Sequence, residues 1–66
     1  MTDNVAILAG FTVEVMAYSD NGQYDLPLLV RPGTDYGDRF RAWSMDDQEF
    51  INVNGWLFTV EEAGPD

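Results

Sequence analysis

The sequence predicts an all-β domain, a small antiparallel meander of about five strands curled into a rolled sheet or a small barrel. Three observations carry that expectation. Two Asn-Gly dipeptides, Asn21-Gly22 and Asn54-Gly55, stand between runs in which apolar and polar residues alternate, and Asn-Gly suits the positive φ that a type I′ hairpin turn demands at both central positions. The runs are short and rich in β-branched and aromatic residues. They are also too many and too short to be joined by the long crossovers of a parallel sheet.

Residues 4–9, from "NVAIL" onward, are expected to add a short edge strand. The first full strand covers 11–18 and the second 24–31. Closing them on Asn21-Gly22 places Ala17 opposite Leu26, Val15 opposite Leu28 and Val13 opposite Val30, with Glu14, Asp25 and Arg31 on the other side. Pro27 lacks a backbone donor, which predicts an edge position or a bulge for the second strand. A loop at 32–37 follows, with Pro32-Gly33 as a turn and Gly37 permitting another reversal.

Strands are then expected at 38–45, 48–53 and 56–62. A turn at Asp46-Asp47 sets Phe40 across from Val53, Ala42 across from Ile51 and Trp43 across from Phe50. A competing reading of "SMDDQEFI" is a short helix capped by Ser44. Closing on Asn54-Gly55 pairs Val53 with Trp56 and Ile51 with Phe58. The resulting inward set is Phe11, Val13, Val15, Ala17, Leu26, Leu28, Val30, Phe40, Ala42, Ile51, Val53, Trp56, Phe58 and Val60. Burial of these side chains, at about 1.5–3 kcal/mol for each large one, only roughly offsets chain entropy, so a homodimer is a plausible source of further stability.

The 66 residues make a single domain, 1–66, because a chain of this length buries only about 60% of its unfolded surface. It has no cysteine, hence neither disulfides nor thiolate metal sites. The N-terminal run has an aspartate where a signal peptide needs positive charge, and no run approaches the length of a membrane span, which predicts a soluble cytoplasmic protein without a membrane partner. Twelve acids face three arginines, with no histidine and a net charge of −9; lysine is also absent. Such a surface repels phosphates, so direct nucleic-acid binding is excluded, whereas a basic protein surface would be drawn in over long range. A solubility role alone is the plainer explanation for the acids, although such surfaces usually mix both signs.

Acid–base or nucleophilic catalysis is not expected without histidine, cysteine or lysine, and no cofactor is implied. Carboxylate pairs such as Asp46-Asp47 with Glu49, or Glu61-Glu62, match no calcium-loop pattern. In "RPGTDYGDR", Asp35, Tyr36 and Asp38 project between the hairpins as a binding loop, or else Tyr36 folds back onto the core. Arg31, Arg39 and Arg41 are expected to neutralise neighbours such as Glu14 and Asp38. On the outward face, Trp43, Phe50, Leu57 and Met45, with Met16, Pro27 and Leu29, form an apolar strip bordered by carboxylates that reads as an interface. The alternative is a second small core containing Trp43.

In its size, its twelve acids, its lack of lysine and cysteine and its compact hairpins "SDNGQ" and "VNGW", the chain resembles the small acidic inhibitors that bacteriophages and mobile elements direct against host nucleic-acid machinery, including anti-CRISPR proteins and other DNA mimics. The resemblance lies in the whole chain rather than in a motif. It implies a non-enzymatic inhibitor whose partner is a basic host protein or nucleoprotein complex. Duplex DNA carries one charge per about 1.7 Å of axis, so the net charge matches roughly 15 Å of duplex. Most acids sit at turns and strand ends, so mimicry requires those turns to gather at one end of the sheet. Asp46, Asp47, Glu49, Glu61 and Glu62 would then displace phosphates, with Trp43 and Phe50 as anchors. A second reading is a phage structural or accessory module acting through self-association or strand addition.

Overall fold

In the computed structural model, which describes residues 3–63, one short helix precedes five strands. These are α1 (Asp3–Leu8), β1 (Val13–Ser19), β2 (Asp25–Val30), β3 (Arg39–Ser44), β4 (Glu49–Asn54) and β5 (Phe58–Glu62), with a single 3₁₀ turn at Gly55–Leu57 between the last two. All pairings are antiparallel and form one sheet in the order β4-β3-β2-β1-β5. The expected all-β meander is therefore present, as a rolled sheet that does not close into a barrel.

Two of the three expected hairpins have the expected register. Val13, Val15 and Ala17 face Val30, Leu28 and Leu26. Phe40, Ala42 and Trp43 face Val53, Ile51 and Phe50. The turns themselves differ from the sequence reading. Between β1 and β2 the Gly22 N–H donates to the Ser19 carbonyl, and only Gly22, not Asn21, has positive φ, so the turn is not type I′. Between β3 and β4 there is no helix beyond one turn. Ser44 does cap that turn, its Oγ accepting the Asp47 N–H at 3.1 Å, and Gln48 at φ 59 brings the chain back into β4.

The third hairpin does not form. Asn54 is extended, at φ −83 and ψ 99, Gly55 is buried, and β5 pairs with β1 instead: Ala17 faces Val60 and Ser19 faces Phe58. A β-carbon on Gly55 would fall within 1.9 Å of the Tyr36 carbonyl oxygen and 2.3 Å of that of Asp38. The glycine is there because two backbones meet, not because a turn needs positive φ.

This crossing forces the sheet to roll. In a flat sheet the end of β4 and the start of β5 would lie four strand spacings apart, about 19 Å, and by the observed registers about nine residues, or 30 Å, apart along the strands. The Gly55–Leu57 link spans at most about 14 Å. Diagonal corners of the sheet must therefore meet, and the link bonds to both: the Gly55 N–H donates to the Asp38 carbonyl at 3.0 Å, and the Asp20 N–H to the Leu57 carbonyl at 3.2 Å.

Inside the roll, Val15, Ala17, Leu28, Val30, Phe40, Ala42 and Val53 form the main core, with Val13, Leu26, Ile51, Phe58 and Val60 packed against it. Two members of the expected inward set lie elsewhere. Trp56 is 53% exposed, because the 3₁₀ turn breaks the strand alternation that would have turned it inward. Phe11 lies on the opposite face of the sheet.

That face carries the other departures. Residues 4–9 are not an edge strand: α1 covers Asp3–Leu8 and ends in a Schellman cap with Gly10 at φ 94. The Phe11 N–H donates to the Ala6 carbonyl at 2.9 Å and the Gly10 N–H to that of Ile7 at 3.0 Å. The cap turns Phe11 under the helix, where Ala6, Phe11, Leu29 and Trp43 form a second core with Met45 and Phe50 beside it. Pro27 belongs to the central strand, not to an edge. Ser19 and Tyr24 form a hydrogen-bonded pair, so by alternation the Pro27 nitrogen faces β3, just outside the short ladder of Leu28 with Ser44 and Leu29 with Trp43. Met45, opposite Pro27, donates its N–H to the Pro27 carbonyl at 3.0 Å, so the proline costs that pair its reciprocal bond, and the Met45 carbonyl accepts the Gln48 side-chain amide at 2.7 Å instead.

Candidate functional site

Strand alternation and the roll together decide where the functional candidates stand. Twelve acids less Asp66, which lies outside the described residues, leave eleven, and all but Asp3 are exposed. The acids expected to face a partner fall into two groups. Glu49 and Glu62 lie on one cross-strand row, through Ser44, Leu28 and Val15, but at opposite edges of the sheet, about 19 Å apart along it. Asp46, Asp47 and Glu49 make one group at the β3–β4 turn, and Glu61 and Glu62 with Glu14 make another on β5 and β1. Among the described residues no three acidic side chains converge closely enough to hold a metal ion.

Several of these carboxylates also hold local structure. Asp47 Oδ2 accepts the Ser44 hydroxyl at 3.2 Å. Asp35 Oδ1 accepts the Gly37 N–H at 2.9 Å and Asp38 Oδ1 the Arg39 N–H at 2.7 Å, both short-range turn bonds of the kind aspartate favours. Tyr36 does not project as a binding side chain. It folds back onto Phe40 in an edge-to-face contact at 5.6 Å and donates its hydroxyl to Glu62 at 2.8 Å. Partial burial and the Glu62 carboxylate push the Tyr36 hydroxyl up to about 12.

The outward apolar strip is divided in two. Trp43, an expected anchor, is 5% exposed and lies beneath α1, its indole N–H donating to Asp3 at 3.0 Å. Phe50 is half-buried between Phe11 and Trp43, at 5.0 and 4.8 Å between ring centroids. These belong to the second core and are covered. The other half of the strip, Met16 and Pro27, has no helix over it and floors a groove of about 170 Å³ beside Glu14, Tyr18 and Glu61.

Among the described residues the arginines lie over aromatic rings rather than in ion pairs with the acids expected of them. Arg31 lies over the ring of Phe11 at 4.8 Å, Arg41 over Phe50 at 5.1 Å and Arg39 over Trp56 at 5.7 Å; Arg39 Nε also donates to Asn54 at 3.1 Å. Each guanidinium thus serves to cover an aromatic face. Glu14 and Asp38 keep their charge facing solvent.

Sequence reasoning missed a second surface. Tyr24 and Leu57 are each half-exposed or more and flank a hollow of about 210 Å³ with Ser19, Asp20 and Phe58, and Trp56, 53% exposed, stands next in the chain with Arg39 over its ring. Assigning Asn54-Gly55 to a hairpin hides the exposure of Trp56 by turning it inward. Both hollows are smaller than the roughly 300–1,000 Å³ of pockets that enclose small-molecule ligands. Among the described residues no helix is long and apolar enough to cross a membrane. Comparison with family models, curated proteins and solved structures finds no match to the chain.

Proposed function

We propose that this protein is a non-enzymatic acidic binding module that occupies a basic, nucleic-acid-binding surface of a partner protein or nucleoprotein complex, in the manner of anti-CRISPR and other DNA-mimic inhibitors. One observation carries the reading. Ten of the eleven described carboxylates stand exposed against only three arginines in the chain, so a net charge of −9 remains and its field is negative. A field of that sign steers and orients a cationic surface. The radius of gyration, 11.1 Å, keeps the charges within the span of a short duplex segment.

The anchoring role expected of Trp43 has no support, since the side chain is covered. Apolar anchoring falls instead to what remains open: the groove of Met16 and Pro27, the hollow beside Tyr24 and Leu57, and the exposed Trp56. These exposed apolar side chains, with the edges of β4 and β5, favour a second reading, self-association or strand addition.

Immobilised protein exposed to bacterial lysate at low and high salt separates the two. Capture of a DNA-handling complex that high salt releases, and that Asp46→Lys with Glu49→Lys abolishes, supports the acidic module. Asp47 is left alone because it holds Ser44. Salt-insensitive capture of only further copies of the chain, lost on Trp56→Ala, overturns it in favour of self-association.

A further inference from the structure

The groove on the outer face of β1 and β5 combines an apolar floor, two carboxylates and a tyrosine ring. By register, Met16 lies between Pro27 on β2 and Glu61 on β5, and Tyr18 between Asp25 and Thr59. Glu14 stands two residues before Met16 on the same face, diagonally across the ladder from Glu61, a spacing of about 7–8 Å. The Ala63 N–H, bonded to the Glu14 carbonyl at 2.8 Å, closes the end of the groove. Its floor is thus a thioether and a proline ring, its two acids come from adjacent strands, and a half-open tyrosine ring stands at the other end. None of the residues lining it is basic.

We propose that this groove receives one arginine side chain presented by the basic partner; the inference rests on the acidic-module reading above and locates its anchor. An arginine has an apolar stem for Met16 and Pro27 and a planar charged head that pairs with carboxylates and stacks on aromatic faces. About 170 Å³ is room for one side chain rather than for a folded ligand. The chain itself already sets three guanidinium groups over aromatic rings, and the groove offers Tyr18 to a fourth from outside. Charge complementarity selects the occupant: an acidic or neutral side chain would leave Glu14 and Glu61 facing an apolar wall without a counter-charge.

The test uses N-acetyl-arginine amide as probe, with the uncharged N-acetyl-citrulline amide as control, titrated against the labelled full-length protein by NMR. The expected result is a shift of the Met16 methyl and the Tyr18 and Glu61 amides by the arginine probe alone. Glu14→Gln with Glu61→Gln should weaken it about tenfold, and Asp46→Asn with Glu49→Gln, the same change of charge at the other edge, should leave it unchanged. Equal loss from both pairs, shifts spread over all acids, or no shift at these residues would overturn the groove as an arginine site. The two readings fail separately. If salt-sensitive capture of a DNA-handling complex survives Glu14→Gln with Glu61→Gln, the groove is wrong and the acidic module stands; if the probe seats in the groove while capture is insensitive to salt, the reverse holds.

Discussion

The Tyr36 hydroxyl donates to Glu62 across 2.8 Å and twenty-six residues of sequence, tying the loop between β2 and β3 to the last strand. The same loop meets the β4–β5 link through Asp38 and Gly55. One segment that sequence reasoning treats as a candidate binding loop is therefore the clasp of the roll.

The clasp should titrate. Tyr36 has its hydroxyl raised from 10.0 to about 12, so the folded state favours the protonated phenol more than the unfolded chain does. Its contribution to stability is fully present below about pH 10 and is lost as pH rises through about 12. Urea unfolding midpoints should fall over that window in the parent, whereas Tyr36→Phe should be less stable at neutral pH but flatter above about pH 10. Parallel curves for the two proteins would show that the bond does not couple to folding.

The two Asn-Gly dipeptides should respond to alanine to different degrees. At Gly22, with φ 72 and nothing within 4 Å of an added β-carbon, Gly22→Ala adds only left-handed strain, about 1–2 kcal/mol. At Gly55 the β-carbon would strike the backbone of Tyr36 and Asp38, which cannot yield as a side chain would. Gly55→Ala should cost more than about 3 kcal/mol, on the order of the whole stability of a domain this size. Comparable denaturation midpoints for both variants would contradict the close approach.

The contrast also shows what local patterning reveals and what it cannot. The β1–β2 and β3–β4 registers are legible because alternation over six residues fixes each strand's face, and a slip of one would bury Glu14 or Arg41. The partner of β5 is not legible. Phe58 and Val60 turn inward whether β5 pairs with β4 or with β1, so the turn signal decides between them locally, while the free edge of β1 and closure of the roll decide otherwise in the folded chain. The helix was missed for a related reason. Six residues are too few for a period, and its clearest mark, Gly10 followed by Phe11, is a stop signal. Without the helix, Trp43 and Phe50 read as open, and the groove at Met16 and Pro27 reads only as part of their strip.

The β3–β4 turn offers a smaller test. Ser44 is fully buried, accepts the Asp47 N–H and donates to the Asp47 carboxylate. Ser44→Ala should cost about 0.5–2 kcal/mol, as loss of a helix cap does, and Asp47→Lys should be destabilising where Asp46→Lys is not. Equal denaturation midpoints for the two lysine variants would show that Asp47 is only a surface charge.

Asp3 fastens α1 over the second core. Its Oδ1 accepts both the Trp43 indole N–H at 3.0 Å and the Gln48 amide at 3.3 Å, joining the first turn of the helix to the end of β3 and the turn beyond it. Trp43 is almost fully covered, so Asp3→Ala leaves its N–H facing the helix without an acceptor, at a cost of about 1–3 kcal/mol. Trp43→Phe keeps the ring against Phe50 and removes the donor. In that background the same Asp3→Ala change should cost only the weaker Gln48 bond, well under about 1 kcal/mol. Faster amide exchange in Ala6 to Phe11 should accompany the single Asp3 variant, because the helix is short and relies on this contact and on Phe11 for its place. A cost for Asp3→Ala that is the same with and without the indole would mean that the helix sits on the sheet by apolar packing alone.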